Sequence, residues 1–332
     1  MRRLKGADRM SKEIRLNKAV EGYLIAKAAD GFSEHSIEIN CWALGRMVDY
    51  TGNALLSEID LNILRGYMNF MRREYKPTRS GGNQSPLAGS SLDRIWSSIR
   101  AFYRWAEVDL GIDRPDLRLP RPRYENPVVK PFTQDEIHLL LNAAEYTALV
   151  VVPGKNPFRM KRPTADRDTA IILTLLDTGI RASECARLRM SDLDLERGEI
   201  VIRPHGSSTK SRPRTVFLGK VARRAVWRYV TSRQTFDDDP LFTSLHGKPM
   251  DRNTIRHLLV NAGKRAGVKN VNVHRFRHTC AIQYLRNGGD VFTLQKIMGH
   301  ATLDMVKKYL DIVTSDAKDA HRSASPADRW QL

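Results

Sequence analysis

The chain has 332 residues, 41% hydrophobic and 28% charged, which fits two or three globular domains and excludes a disordered or collagen-like polymer. Lysine and arginine number 55 against 37 aspartates and glutamates, a net +18 spread along the chain, so a polyanion, most often nucleic acid, is the first partner to weigh against a merely basic enzyme. No apolar run nears the ~18–20 residues that cross a bilayer, the basic N-terminus lacks a secretory apolar stretch, and the scattered Cys41, Cys185 and Cys280 suit reduced thiols in the cytosol.

In chain order, the N-terminal part reads as all-helical, with amphipathic segments over 12–29, 34–50, 57–75 and 90–108. Gly31, Gly52 and the stretch PTRSGGNQSP (77–86) punctuate them. Ser90 with Asp93 three residues on resembles a capping box opening the last of these helices. Its apolar stripe, Leu92, Ile95, Ile99, Phe102 and Trp105, reads as core. Arg94, Ser97, Ser98 and Arg100 then lie elsewhere, on an ordinary solvated face or one that meets a phosphate backbone; Arg94 and Ser98 are the candidate DNA contacts there.

The stretch DRPDLRLPRPRYENPVVKPFT (113–133) carries Pro115, Pro120, Pro122, Pro127 and Pro131. Prolines this dense oppose helix and favour an extended linker. Arg121, Arg123 and Lys130 within it would suit a strap along DNA. The expected domains are therefore 1–118 and 132–332, joined by a linker over 119–131.

Beyond the linker, Thr133 and Glu136 have capping-box spacing at the head of a helix, and another helix over 167–177 closes at Gly179. Two β-rich runs, 199–203 and 213–218, flank a polar turn as a hairpin would. Helical pattern resumes over 219–232, 251–266, 275–287, 290–298 and 302–312. The fold class expected is mostly α, with one small antiparallel β-sheet in the second domain.

One stretch resists an ordinary reading. VHRFRHTCAIQYLRNGG (273–289) crowds His274, Arg275, Arg277 and His278 where a helix meets the core. Burying such cations unpaired costs several kcal/mol, so something negative must face them. Other motifs belong with it. DTGIRASECARLRMSDLD (177–194) sets Arg181 just after a helix-ending glycine, with Glu184 three residues on; SSTKSRPRTVFL (207–218) carries Lys210 in the hairpin turn; MGH ends at His300, and Tyr309 follows nine residues later.

Each piece alone has a plain alternative. Arg181 could pair with Glu184 on a helix surface, Lys210 could be solvated, His300 could cap a helix, and Tyr309 could pack in a core with Leu303, Val306, Leu310 and Val313. A zinc site on His274 and His278 is disfavoured by the flanking arginines and the missing glutamate base. The ordered set, however, resembles the tyrosine recombinase (phage integrase) family: Arg181 in T-G-x-R-x-x-E, Lys210 in the hairpin, His274 and Arg277 in H-x-x-R, His300 in G-H, then Tyr309. Phe217, Phe276 and Met298 depart from the commoner residues, none at a catalytic position. The resemblance covers 178–313 in motifs and nearly the whole chain in architecture.

The resemblance implies an N-terminal four-helix SAM-like bundle that binds the DNA core site, and a mainly helical catalytic domain. It implies that Tyr309 attacks a phosphodiester, becomes linked to the 3′-phosphate and releases a 5′-hydroxyl. Arg181 and Arg277 would grip the non-bridging oxygens with always-charged forks. His274 and His300 would add hydrogen bonds, Lys210 would protonate the leaving oxygen, and Glu184 would orient Arg181 or a histidine. No metal or other cofactor is expected, because arginines supply the cationic charge. The partner implied is double-stranded DNA bearing a specific recombination site, clamped between the domains, with four protomers in the synaptic complex. The tail VTSDAKDAHRSASPADRWQL is expected to pack into a neighbouring protomer.

A Xer-like protein or the integrase or resolvase of a mobile element, cytoplasmic and nucleoid-associated, fits best. Helical pattern begins near residue 12, which favours a simple recombinase over one with an added arm-binding domain. The rival readings are a type IB topoisomerase, which shares the chemistry but relaxes DNA as a monomer, and a DNA-binding regulator on an inactive fold.

Overall fold

The structure is a computed structural model that describes residues 13–78, 84–125, 129–150, 156–204, 213–233 and 235–300, together with 302, 303, 306, 309 and 325. The chain divides into two compact units, Met1–Pro127 and Val128–Leu332.

The first unit is built from α1 (Leu16–Ala29), α2 (Glu34–Thr51), α3 (Leu61–Arg73) and α4 (Gly89–Leu110). Local chemistry sets half of the ends. The Ser33 and Asp60 side chains accept from the Ser36 and Ile63 amides at the starts of α2 and α3. Gly52 and Gly111 close α2 and α4 in the left-handed region. Apolar side chains at helical spacing, among them Tyr23, Leu44, Met47, Leu64, Tyr67, Ile99 and Phe102, fill one core. The Tyr67 hydroxyl, buried there, donates to Ala43 O at 2.6 Å, which satisfies its polar tip.

Two sequence expectations change here. The Ser90–Asp93 box does not form: α4 begins at Gly89, its N-cap Ala88 makes no side-chain cap, and Asp93 instead takes a bidentate pair from Arg121 at 2.7 and 3.0 Å. The charged guanidinium outcompetes a neutral cap. The proline-rich stretch is also not extended from its start. Pro115–Arg118 forms a 3-10 turn, because Asp116, fully buried, draws Arg114 to 2.7 Å and Arg100 to 3.5 Å. Trp96 Nε1 donates to Leu119 O at 3.1 Å and fastens the end of this turn to α4.

The second unit is built around α6 (Ala165–Thr178), whose Ile171, Ile172 and Leu175 are fully buried. α5 (Gln134–Glu145), α8 (Lys220–Thr231) and α10 (Val273–Arg286) pack on α6, and α9 (Arg252–Ala266) packs on α5 and on the short α7 (Ala182–Arg187). The Thr133–Glu136 capping box forms in full, with reciprocal bonds of 3.0 and 3.1 Å. The sheet is antiparallel in the order β1 (Leu193–Asp194), β2 (Glu199–Ile202), β3 (Arg214–Phe217), with Ile200 opposite Val216. Strand alternation turns Ile200, Ile202 and Val216 into the core and leaves Val201 and Phe217 outside. α11 (Val291–Met298) begins on Asp290, which caps the Phe292 and Thr293 amides, and ends at Gly299. Cys280, Ala281, Ile282, Leu294, Met298, Val306 and Tyr309 form a smaller apolar cluster beside it.

Candidate active site

The helix ends of the second unit bring the motif residues together. α6 ends at Thr178, and Gly179 turns the chain with φ +60°, where a Cβ would stand 2.6 Å from Met298 Cε. The left-handed turn favours glycine, and the Met298 methyl packs where a Cβ would stand. The turn delivers Arg181 to the N-terminus of α7 and exposes Gly179 O to the site. Glu184, one turn on, reaches back to the Arg181 amide at 2.8 Å and holds Arg181 Nη1 at 3.1 Å. The Arg181 side chain stays 25% exposed, so it faces the open side of the site.

Arg277 is the floor of the site. It is 5% exposed, with Nη1 donating to Gly179 O and Nη2 to Met298 O, both at 2.7 Å, and Nη2 also 2.7 Å from His300 Nε2. Among the described residues no carboxylate pairs with it. Burial, and then the Arg181 charge, lower its pKa to about 10, so it remains cationic at neutral pH. Arg275, two residues before it, is a contrast. Its Nη2 pairs with Glu136 at 2.6 Å, its other N–H groups donate to the carbonyls of Lys130, Pro131 and Lys269, and it lies 3.9 Å over the Phe132 ring. The crowded cations thus divide: Arg275 is answered from within the protein, and Arg277 is not.

His274, in the first turn of α10, is exposed at the rim. Desolvation on its inner side, then Arg277 and Arg181, lower its pKa. His300 is 4% exposed, and burial followed by the charges of Arg277, Arg181 and Arg214 brings its pKa to about 4. Tyr309 is 6% exposed. The His278 ring meets it edge-on at 5.2 Å and the His300 ring stacks at 6.2 Å. Burial raises the Tyr309 pKa, partly offset by Arg277 and Arg181. Arg181, Glu184, His274, Arg277, His300 and Tyr309 therefore share one neighbourhood in the second unit, whereas Lys210 lies outside the described residues.

The expected DNA contacts fare unevenly. Ser98 is buried, 4% exposed, because its position on α4 falls on the core side between Ile95 and Phe102; it cannot meet a phosphate backbone and is withdrawn. Arg94, Arg123 and Lys130 are exposed. Arg121 is exposed too, but its charge is shared with Asp93.

Two residues take places in the site that the motifs do not give them. His278 contacts Tyr309, and its place one residue after H-x-x-R gave no signal of that. Arg214 forks both Glu184 oxygens at 3.0 and 2.8 Å. For Arg214 a signal existed: it alternates with Val216 on the inward face of a strand.

Comparison with known proteins agrees with this arrangement. The Phage integrase family model matches residues 130–315. Tyrosine recombinase XerC of Oceanobacillus iheyensis is 28% identical over 311 residues, covering 90% of this chain and 95% of its own. Tyrosine recombinase XerA of Thermococcus kodakarensis is 27% identical over 311 residues, covering 93% and 95%. Among solved structures, a lambda integrase dimer bound to a COC′ core site matches with TM-score 0.69 at 15% identity, over 93% of this chain and 81% of that one, a likeness of fold. With the family model matched over more than half its length, the chain belongs to the phage integrase family and is a site-specific tyrosine recombinase.

Proposed function

We propose that this recombinase cleaves and rejoins duplex DNA at a specific recombination site through a covalent 3′-phosphotyrosine at Tyr309. The observation that carries the reading is Arg277: a guanidinium buried on two carbonyls and a neutral histidine, with no carboxylate among the described residues. Such a charge is costly until an anion meets it. A scissile phosphate would fill that need, its non-bridging oxygens shared between Arg277 and the more exposed Arg181.

The chemistry follows from the groups present. As Tyr309 attacks phosphorus, charge builds on the non-bridging oxygens, and arginine charges already in place stabilise it without reorganisation. The phenol gives up its proton, which His274 at the rim could take, and the 5′-oxygen leaves with a proton from Lys210. Rejoining is the same path reversed, with the 5′-hydroxyl attacking the phosphotyrosine. Tyr309 is 6% exposed, so attack requires its phenol to be accessible to phosphorus. Arg94, Arg121, Arg123 and Lys130 would contact the DNA backbone, four protomers would act together on two sites, and the reaction would take place on cytoplasmic DNA. Among the described residues no helix is long and apolar enough to cross a membrane.

The test is trapping. A nicked duplex carrying the recombination site, sought in the DNA beside the gene, should give a protein–DNA adduct on denaturing electrophoresis. Tyr309→Phe should bind the same duplex nearly as well and give none; an adduct in that variant would overturn the assignment of Tyr309.

A further inference from the structure

A second buried guanidinium stands beside Arg181, and the chemistry above does not use it. Arg214 opens β3, and its side chain is 6% exposed. Nη1 and Nη2 donate to Oε1 and Oε2 of Glu184 at 3.0 and 2.8 Å, and Nε donates to Ile297 O at 2.7 Å. Its Cδ and Cζ lie against Gly299, where a Cβ would stand 3.1 Å away. One side chain thus joins α7, β3 and the end of α11 that leads to His300.

Arg181 draws on the same carboxylate, but differently. Arg214 holds the two-oxygen fork, which is the strong geometry for arginine and carboxylate. Arg181 is left with a single side-chain bond to Oε1 at 3.1 Å, besides its amide bond to Oε2. Burial pushes the Glu184 pKa up, but the Arg214 bonds and charge, then those of Arg181, bring it down to about 2, so it is always an anion here. With the Arg214 fork removed, this buried anion would turn its oxygens towards Arg181 and offset its charge.

We infer that Arg214 is a positioning residue that occupies Glu184, so that Arg181 keeps its charge and its N–H groups for the scissile phosphate. Among the described residues, Arg181, Arg214 and Arg277 then face one carboxylate around the phosphate position, and the site stays cationic. Without Arg214 the carboxylate becomes a competitor of the phosphate for Arg181. The inference rests on the reading of Arg181 as a phosphate ligand.

The consequence is a reversal of sign. Glu184→Gln in the wild-type background should slow adduct formation, because Arg181 loses an anchor. In the Arg214→Met background the same change should accelerate it, because it removes the competitor. Arg214→Met alone should slow adduct formation on the order of 10²-fold, the scale of a misplaced catalytic group, and adding Glu184→Gln should return at least tenfold of it. Neutralising the carboxylate left behind would also relieve a merely structural defect, so rates are compared only between variants that are fully folded at the assay temperature.

The measurement is the rate of adduct formation on the nicked duplex, with thermal melting to show that each variant is folded. A wild-type rate in Arg214→Met, or a double variant no faster than the single, overturns the inference. If Arg214→Met does not fold, Arg214→Lys takes its place, since an ammonium keeps the charge but cannot fork both oxygens. That variant must then be slowed, and Glu184→Gln must accelerate it; the opposite result overturns the inference. Wild-type protein giving no adduct, or Tyr309→Phe giving one, would instead sink the functional reading, so the two failures are distinguishable.

Discussion

Arg277 Nη2 lies 2.7 Å from His300 Nε2, and this single contact decides the state of the histidine. An arginine N–H can only donate, so Nε2 accepts and the neutral ring carries its proton on Nδ1. Nδ1 is buried and has no hydrogen-bond partner among the described residues. A buried donor without an acceptor is costly, and a phosphate oxygen would relieve it. His300 is therefore a neutral donor beside a permanent cation, and protonating it would set two cations face to face.

A pH dependence of stability follows. Burial and then Arg277 hold the His300 pKa near 4 in the folded protein, against about 6.5 when unfolded. Below 6.5 the unfolded chain takes up a proton that the folded chain refuses. The contribution of His300 is thus fully present above pH 6.5 and lost as pH falls towards 4. At pH 5 the loss should be on the order of 1–2 kcal/mol, and His274, also lowered, adds in the same direction. Urea unfolding at pH 7 and pH 5 should show a smaller loss for His300→Asn than for wild type. Equal losses would contradict the depressed pKa.

How much of this was legible depends on how far apart the partners lie. Thr133 and Glu136 sit in one turn, so their capping box could be read directly and formed. Ser90 and Asp93 have similar spacing, yet Asp93 was claimed by Arg121, 28 residues away. Glu184 was readable as an orienting group because Arg181 is in its own turn, but its second arginine, Arg214, is 30 residues distant. Ser98 failed for another reason: on a helix packed against three others, the apolar stripe is wide enough to bury a small polar residue at its edge. Apolar periodicity located the helices, whereas long-range ion pairs decided which charges were left for a ligand.

Arg275 and Arg277 should separate cleanly by mutation. Arg275→Ala leaves three carbonyls without its N–H groups and the Glu136 carboxylate with the Thr133 amide but no cation. With Glu136 still 27% exposed, the cost should be about 2–4 kcal/mol of stability, visible as a lower urea midpoint. The folded variant should still form the adduct. Arg277→Ala should do the reverse, removing an uncompensated buried charge with a smaller stability cost while abolishing adduct formation. Loss of adduct formation in fully folded Arg275→Ala would place Arg275 in the chemistry.

If guanidinium groups supply the charge at phosphorus, as proposed, adduct formation should proceed undiminished in excess EDTA. If chelation stopped it and magnesium or zinc restored it, the proposed division of labour would be wrong. Binding should respond to salt instead, since each phosphate neutralised by lysine or arginine releases counterions. Titrations between 50 and 200 mM salt should show log affinity falling steeply and linearly with log salt, and a flat response would contradict a backbone-dominated interface.

The proposed role of Lys210 can be separated from that of the arginines by the leaving group. Its proposed task is to give a proton to the 5′-oxygen, a poor leaving group as an alkoxide. A lysine with an ordinary pKa near ~10.4 holds that proton at neutral pH, and nearby phosphates favour its charged form further. Lys210→Ala should therefore slow cleavage by roughly the 10²–10⁴-fold typical of acid–base catalysis. Replacing the bridging 5′-oxygen with sulfur gives a leaving group that needs no proton. Cleavage of that duplex should be largely restored in Lys210→Ala but not in Arg181→Ala, whose proposed work is on the non-bridging oxygens. The wild-type enzyme should gain little from the sulfur, because its acid already does what the sulfur replaces. If both variants fail equally on the sulfur duplex, Lys210 is a phosphate contact, and the acid must be sought at Lys220 or among the histidines.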